Sequence, residues 1–231
     1  MNKLDYIYLE DLLLIFSFLI ALLAQLTISL TYSKYKKVKS STGLTGFETA
    51  RIILDKNGLN NVHIVEIRGS LTDHYDPRGK VVRLSSDIYH GDSLAAVAVA
   101  AHECGHAIQD KEEYTFLKIR SAFVPIVNIA SKLSYFSILF GLIIGLTDLI
   151  YLGVAALLII LLFEIITLPV EYDASSRAKK NLIAENIVDS KEINGSKKVL
   201  NAAALTYVAS VLTSALQIFR LLVIASNRNR D

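Results

Sequence analysis

Residues 123–168 read FVPIVNIASKLSYFSILFGLIIGLTDLIYLGVAALLIILLFEIITL. Two apolar blocks, 123–145 and 149–168, are separated only by Leu146-Thr147-Asp148. Each is close to the roughly 20 residues that a helix needs to cross the hydrocarbon of a bilayer. A connection this short allows only a tight helical hairpin, so both outer ends return to the same membrane face. Hydrophobic residues make up 52% of the 231 and gather in such blocks rather than in amphipathic stripes. A lipid solvent demands that arrangement, and the bilayer is the expected partner. The net charge of +2, with Lys and Arg dispersed along the chain, gives no footing for nucleic acid.

Working outward, residues 12–30 form a further apolar run that ends in Tyr32-Ser33-Lys34-Tyr35-Lys36-Lys37-Val38-Lys39. Aromatic rings followed by lysines form a cytoplasmic-side anchor, which puts the amino terminus outside and the following segment in the cytosol. The acids Asp5, Glu10 and Asp11 outnumber Lys3 ahead of this run, and no small-residue cleavage site follows it. The run is therefore expected to stay in the mature protein. Residues 202–225 are apolar but carry Thr206, Thr213, Ser214, Gln217 and Arg220, and a basic tail at 227–230 follows. The polar residues suit a half-buried helix packed against the catalytic unit, and the basic tail favours a last crossing.

The expected fold is an α-helical membrane protein with about four transmembrane helices and a small α/β zincin-like cytosolic insertion. Its parts are a first membrane helix (1–33), a cytosolic region (34–121), a transmembrane hairpin (122–168), a cytosolic segment (169–201) and a C-terminal apolar helix with its tail (202–231). Within the insertion, Thr45-Gly46-Phe47-Glu48 starts a helix that stops at Gly58. Residues 62–67 read as a strand, and residues 71–75 and 80–85 pair as a hairpin around Asp76-Pro77-Arg78-Gly79. Asp92 or Ser93 caps the next helix, which carries the chemistry.

That chemistry is His102-Glu103-Cys104-Gly105-His106. Histidines four apart on a helix lie one turn above the other, so their imidazoles converge on one metal ion. Glu103 points about 100° around the helix and reaches a water beside that ion. Zinc lowers the pKa of a bound water to about 7, and a carboxylate moves the proton to the leaving nitrogen. The expected reaction is amide hydrolysis without a covalent intermediate. Chance can supply so short a pattern. Here a small apolar run, residues 95–101, leads into it, and Gly105 admits a close neighbour.

A catalytic zinc site takes three protein ligands and keeps one position open. The candidate third ligand is Glu171, because two crossings separate it from the histidines and return it to their side. Glu164 competes, but it falls inside an apolar block, where an ionised carboxylate is costly. Asp173 is an alternative ligand or an acceptor that orients a histidine. Tyr207 and Arg177 are candidate stabilisers of an oxyanion, and each also suits a place at the membrane surface. His74, His63 and His90 read as structural, and Cys104 as a small apolar packing residue.

Three runs taken together resemble the YugP-type neutral zinc metallopeptidases of bacterial membranes. They are Leu71-Thr72-Asp73-His74-Tyr75-Asp76-Pro77, the stretch Ala100-Ala101-His102-Glu103-Cys104-Gly105-His106-Ala107-Ile108-Gln109, and Leu168-Pro169-Val170-Glu171-Tyr172-Asp173-Ala174-Ser175. The resemblance implies zinc, a prokaryotic plasma membrane and an active site facing the cytosol. More distantly the layout is similar to the HtpX-type and CAAX prenyl membrane metallopeptidases, whose ligand run is Glu-x-x-Ala-Asp. Ser175 stands where their Asp does, which puts the carboxylate that usually supports a ligand in question.

The expected function is a zinc-dependent membrane endopeptidase. One Zn2+ per chain is held by His102, His106 and Glu171, with Glu103 as general base. The substrate is a membrane or membrane-proximal polypeptide. The alternatives are a non-catalytic zinc-binding membrane scaffold and a zinc hydrolase of a non-peptide amide.

Overall fold

The computed structural model describes residues 3–228, with side chains from 8 to 228. Asn229 and Arg230, part of the basic tail, lie outside the described residues. The order is α1 (Lys3–Tyr35), α2 (Gly46–Lys56), β1 (His63–Ile67), β2 (His74–Asp76), β3 (Val81–Ser85), α3 (Ser86–Tyr89), α4 (Leu94–Lys111), α5 (Thr115–Ile144), α6 (Thr147–Ala184) and α7 (Ile193–Arg228). Among the described residues, four helices are long and apolar enough to cross a membrane: α1, α5, α6 and α7. The chain forms two compact units.

The first unit comprises residues 1–25, 119–168 and 206–231. Its apolar cluster joins Ile150 and Val154 of α6 to Ile218, Leu221, Ile224 and Ala225 of α7, with Ile138 and Leu142 of α5 against them. The hairpin connection is tighter than the expected Leu146-Thr147-Asp148. Gly145 ends α5 with a φ of +82°, and α6 already begins at Thr147. Only glycine adopts that backbone at little cost, so the turn is local chemistry. Large apolar side chains elsewhere on these helices face outward, among them Phe18 (64% exposed), Ile129 (69%) and Ile143 (71%). Such a surface suits hydrocarbon rather than water.

The second unit comprises residues 26–118 and 169–205. The helix start expected at Thr45 is present and takes the form of a capping box: Glu48 N–H donates to Thr45 Oγ1 and Thr45 N–H donates to Glu48. A three-stranded sheet of order β1-β3-β2 follows, with β1 parallel and β2 antiparallel to β3. The expected hairpin is therefore β2 and β3. Its turn is held by Asp76, which accepts from the Arg78 and Gly79 amides. The first arm is shorter than expected, since regular pairing starts at His74. Ahead of it Leu71 has a φ of +57°, and Asp73 leaves the strand to accept from the Ser85 amide and hydroxyl.

Ser93 caps α4 by accepting from the Ala96 amide. The helix is buried almost throughout, with Ala95, Ala96, Val97, Ala98, Ala100, Ala101 and Cys104 inaccessible to solvent. Side chains this small let neighbouring elements close around it. One departure from the sequence reading matters for the site. The apolar block ends at 168, yet α6 runs on without a break through Pro169 to Ala184. Val170, Ala174, Ala178 and Leu182 form a fully buried stripe at four-residue spacing along this extension. Burial of that stripe offsets the hydrogen bond that the proline removes.

Candidate metal centre

Helix α4 carries the two histidines on one face, with ring centroids 4.8 Å apart and planes at 82°. The α6 extension brings Glu171 to them. Its Oε2 lies 3.2 Å from His102 Nε2 and 3.7 Å from His106 Nε2. The ligand atoms of the three residues all lie within 4.8 Å of one another. Tetrahedral zinc with bonds near 2.0–2.1 Å spaces its ligands by about 3.3 Å, which the 3.2 and 3.7 Å separations of Glu171 from the two histidines approach. The site is enclosed: side-chain exposure is 15% for His102, 11% for His106 and 3% for Glu171.

Hydrogen bonds behind the ligands determine which imidazole nitrogen is free. Gln109 Nε2 donates to the Val170 carbonyl and to Asp173 Oδ2, both of which only accept. The amide oxygen of Gln109 therefore faces His106, 3.0 Å from its Nδ1. Nδ1 must carry a hydrogen and donate it, so Nε2 is the nitrogen that faces Glu171. On the other histidine, Ser175 Oγ sits 3.2 Å from Nδ1 of His102. A hydroxyl can accept from that nitrogen as well as donate to it, so Ser175 can hold the tautomer that turns the Nε2 lone pair to a metal, in place of the Nε2 hydrogen bond to Glu171.

Gly105 explains how the helices come this close. A β-carbon at that position would stand 2.5 Å from the Ala174 carbonyl oxygen and 3.1 Å from the Ala174 Cα. No side chain fits there without moving α6.

Electrostatics divides the remaining residues. Glu103 is buried, and desolvation raises its pKa against the lowering effect of the two histidines. For His106, burial pulls the pKa down, but the hydrogen bond and charge of Glu171 outweigh it and the net direction is up. Burial pushes the Cys104 thiol far above its ordinary range, and its sulfur contacts the Ala50 carbonyl at 3.6 Å. It is an inert packing group, as expected.

Asp173 is not one of the three convergent ligands. It accepts from Gln109 and from Arg177 Nε, while Arg177 Nη1 reaches Glu112 at 2.6 Å. Tyr207 belongs to the other compact unit, on α7, as does Glu164 on α6. His74 donates from its ring to the Thr72 carbonyl in the turn before β2. His90 pairs with Glu66 at the surface. Sequence reasoning gave Gln109 no role at the site, and it marked Ser175 only as standing where related families carry a supporting carboxylate. The available signal was spacing: Gln109 is three residues beyond His106, and Ser175 four beyond Glu171, so each shares a helix face with a ligand.

The family model described as "Putative neutral zinc metallopeptidase" matches residues 11–226. The chain is 47% identical over 204 residues to "Putative membrane protease YugP" of Bacillus subtilis (strain 168), covering 88% of this chain and 91% of that protein. No solved structure matches it. With four apolar helices and three convergent ligand residues already in place, a match of this extent means that the chain belongs to the YugP-type family of zinc metallopeptidases.

Proposed function

We propose that this protein is a zinc-dependent endopeptidase of the prokaryotic plasma membrane. His102, His106 and Glu171 hold one zinc ion per chain, and Glu103 is the general base. The observation that carries this reading is the convergence of two Nε2 atoms on one Glu171 oxygen, with the Nδ1 atoms already facing Gln109 and Ser175. When bound, zinc supplies an acidified water and polarises a substrate carbonyl. Glu103 follows His102 on α4 and is 7% exposed. A carboxylate whose pKa burial raises suits a group that takes a proton from water and passes it to the leaving amide nitrogen.

The polypeptide is held in extended form along β2. That strand pairs on one side with β3 and is an edge of the sheet on the other. Tyr75 in β2 donates to Asp110 at 2.7 Å, which ties the edge to the catalytic helix. An incoming chain pairs with such an edge through its backbone, which accommodates varied sequences. The lysines that follow the first apolar run support a site on the cytosolic side, with membrane or membrane-proximal chains as the substrates.

The test is cleavage of a casein-like polypeptide by the purified full chain and by Glu103→Gln. The variant should keep its zinc and lose activity by about 10²–10⁴-fold. Full-rate cleavage by the zinc-loaded variant would sink the mechanism. Zinc binding without cleavage of any polypeptide by the wild type would favour a scaffold or a hydrolase of another amide.

A further inference from the structure

Near the end of α1 and the start of α7, within the second unit, lies an open cavity of about 490 Å³. Its polar lining includes Lys34, Lys198 and Asn201, and its apolar lining Leu30, Ala202 and Leu205. The helices meet closely at one end, where a β-carbon on Gly195 would stand 2.9 Å from the Tyr35 ring. Leu30 and Leu205 are 69% and 42% exposed, so the apolar wall is open.

The cavity carries its charge as two lysines. Lys36 is paired with Asp87 and Lys39 with Asp92, whereas among the described residues neither Lys34 nor Lys198 forms an ion pair. The Lys34 ammonium lies over the Tyr35 ring at 5.6 Å, and two ammonium groups with no carboxylate beside them attract an anion. Lys34 also follows directly on the apolar run of α1, at the level where headgroups meet acyl chains. A ligand that fits must be anionic at one end and apolar at the other.

We propose that this cavity binds an anionic phospholipid. The headgroup phosphate lies between Lys34 and Lys198, with Asn201 as a hydrogen-bonding partner, and an acyl chain runs along Leu30 and Leu205. Nothing in this proposal depends on the zinc site or on peptidase activity.

The experiment is native mass spectrometry of the delipidated full chain offered phosphatidylglycerol or phosphatidylcholine of the same acyl length. Wild type should retain phosphatidylglycerol in clear preference. A Lys34→Gln/Lys198→Gln double variant should lose that retention by about tenfold or more, since each lysine near a lipid surface contributes on the order of 1 kcal/mol. Lys37→Gln/Lys197→Gln removes the same charge from neighbouring positions and should change retention little. Leu205→Trp, which fills the apolar wall at unchanged charge, should also weaken retention. Equal retention of the two lipids, or equal loss in the two lysine double variants, would overturn the proposal.

Discussion

Gly105 and Ala174 put α4 and α6 in backbone contact at the candidate metal centre: a β-carbon on Gly105 would lie 2.5 Å from the Ala174 carbonyl oxygen. Glu171 stands one turn before Ala174 on the same helix, so any shift that relieves this contact also moves the third ligand. Gly105→Ala should destabilise the protein by about 1–3 kcal/mol, the usual cost of overpacking. Zinc affinity should fall with it. Thermal unfolding in detergent and zinc titration check the two effects. A variant with unchanged zinc affinity would show that the contact does not position Glu171.

Gln109 acts through His106 rather than on a substrate. Its amide oxygen accepts from Nδ1 while its amide nitrogen is anchored to Val170 and Asp173. Gln109→Ala should weaken zinc binding by about 10–100-fold, as supporting partners of histidine ligands usually do. Once zinc is saturating, most of the activity should return. Loss of kcat at full zinc occupancy would instead assign Gln109 a place in the reaction.

Ser175 supports His102 with a neutral hydroxyl. A carboxylate in that place accepts the Nδ1 proton more strongly and raises the basicity of the ligand. Ser175→Asp should therefore bind zinc more tightly than wild type, and Ser175→Ala less tightly. Competition against a calibrated chelator ranks the three proteins, and the reverse order would contradict this role.

Zinc binding should depend on pH with a definite sign. The ion needs neutral imidazoles, and protons compete for them. In the metal-free chain His106 has a raised pKa: burial lowers it, and the bond and charge of Glu171 raise it by more. A raised histidine keeps its proton to higher pH than usual, so competition begins earlier on acidification. Apparent zinc affinity should climb as pH rises across roughly 5.5–8, the range in which histidine titrates. A flat profile over that range would contradict it.

Local features were legible in the residues. The helix start at Thr45, the cap at Asp92 or Ser93, the turn at Asp76 and the apolar blocks are all decided within a few positions, and each appears in the structure, the cap at Ser93. The convergence of Glu171 with the histidines was also within reach, because counting crossings needs only the number of blocks. The extent of α6 was not. Beyond Pro169 polarity rises and the block signal ends, while the buried stripe Val170, Ala174, Ala178 and Leu182 depends on what packs against it. The role of Gln109 was hidden for the same reason, as was the histidine that Ser175 meets. Hydrogen bonds between α4 and α6 exist only once both helices are in place.

X-ray absorption at the zinc K-edge, on the purified full chain and on Glu171→Gln, tests the centre most directly. The account predicts one zinc per chain in the wild type, bound by two imidazole nitrogens and oxygen with no sulfur. It predicts loss of most of that zinc in the variant. A sulfur neighbour, or an unchanged zinc environment in Glu171→Gln, would contradict it.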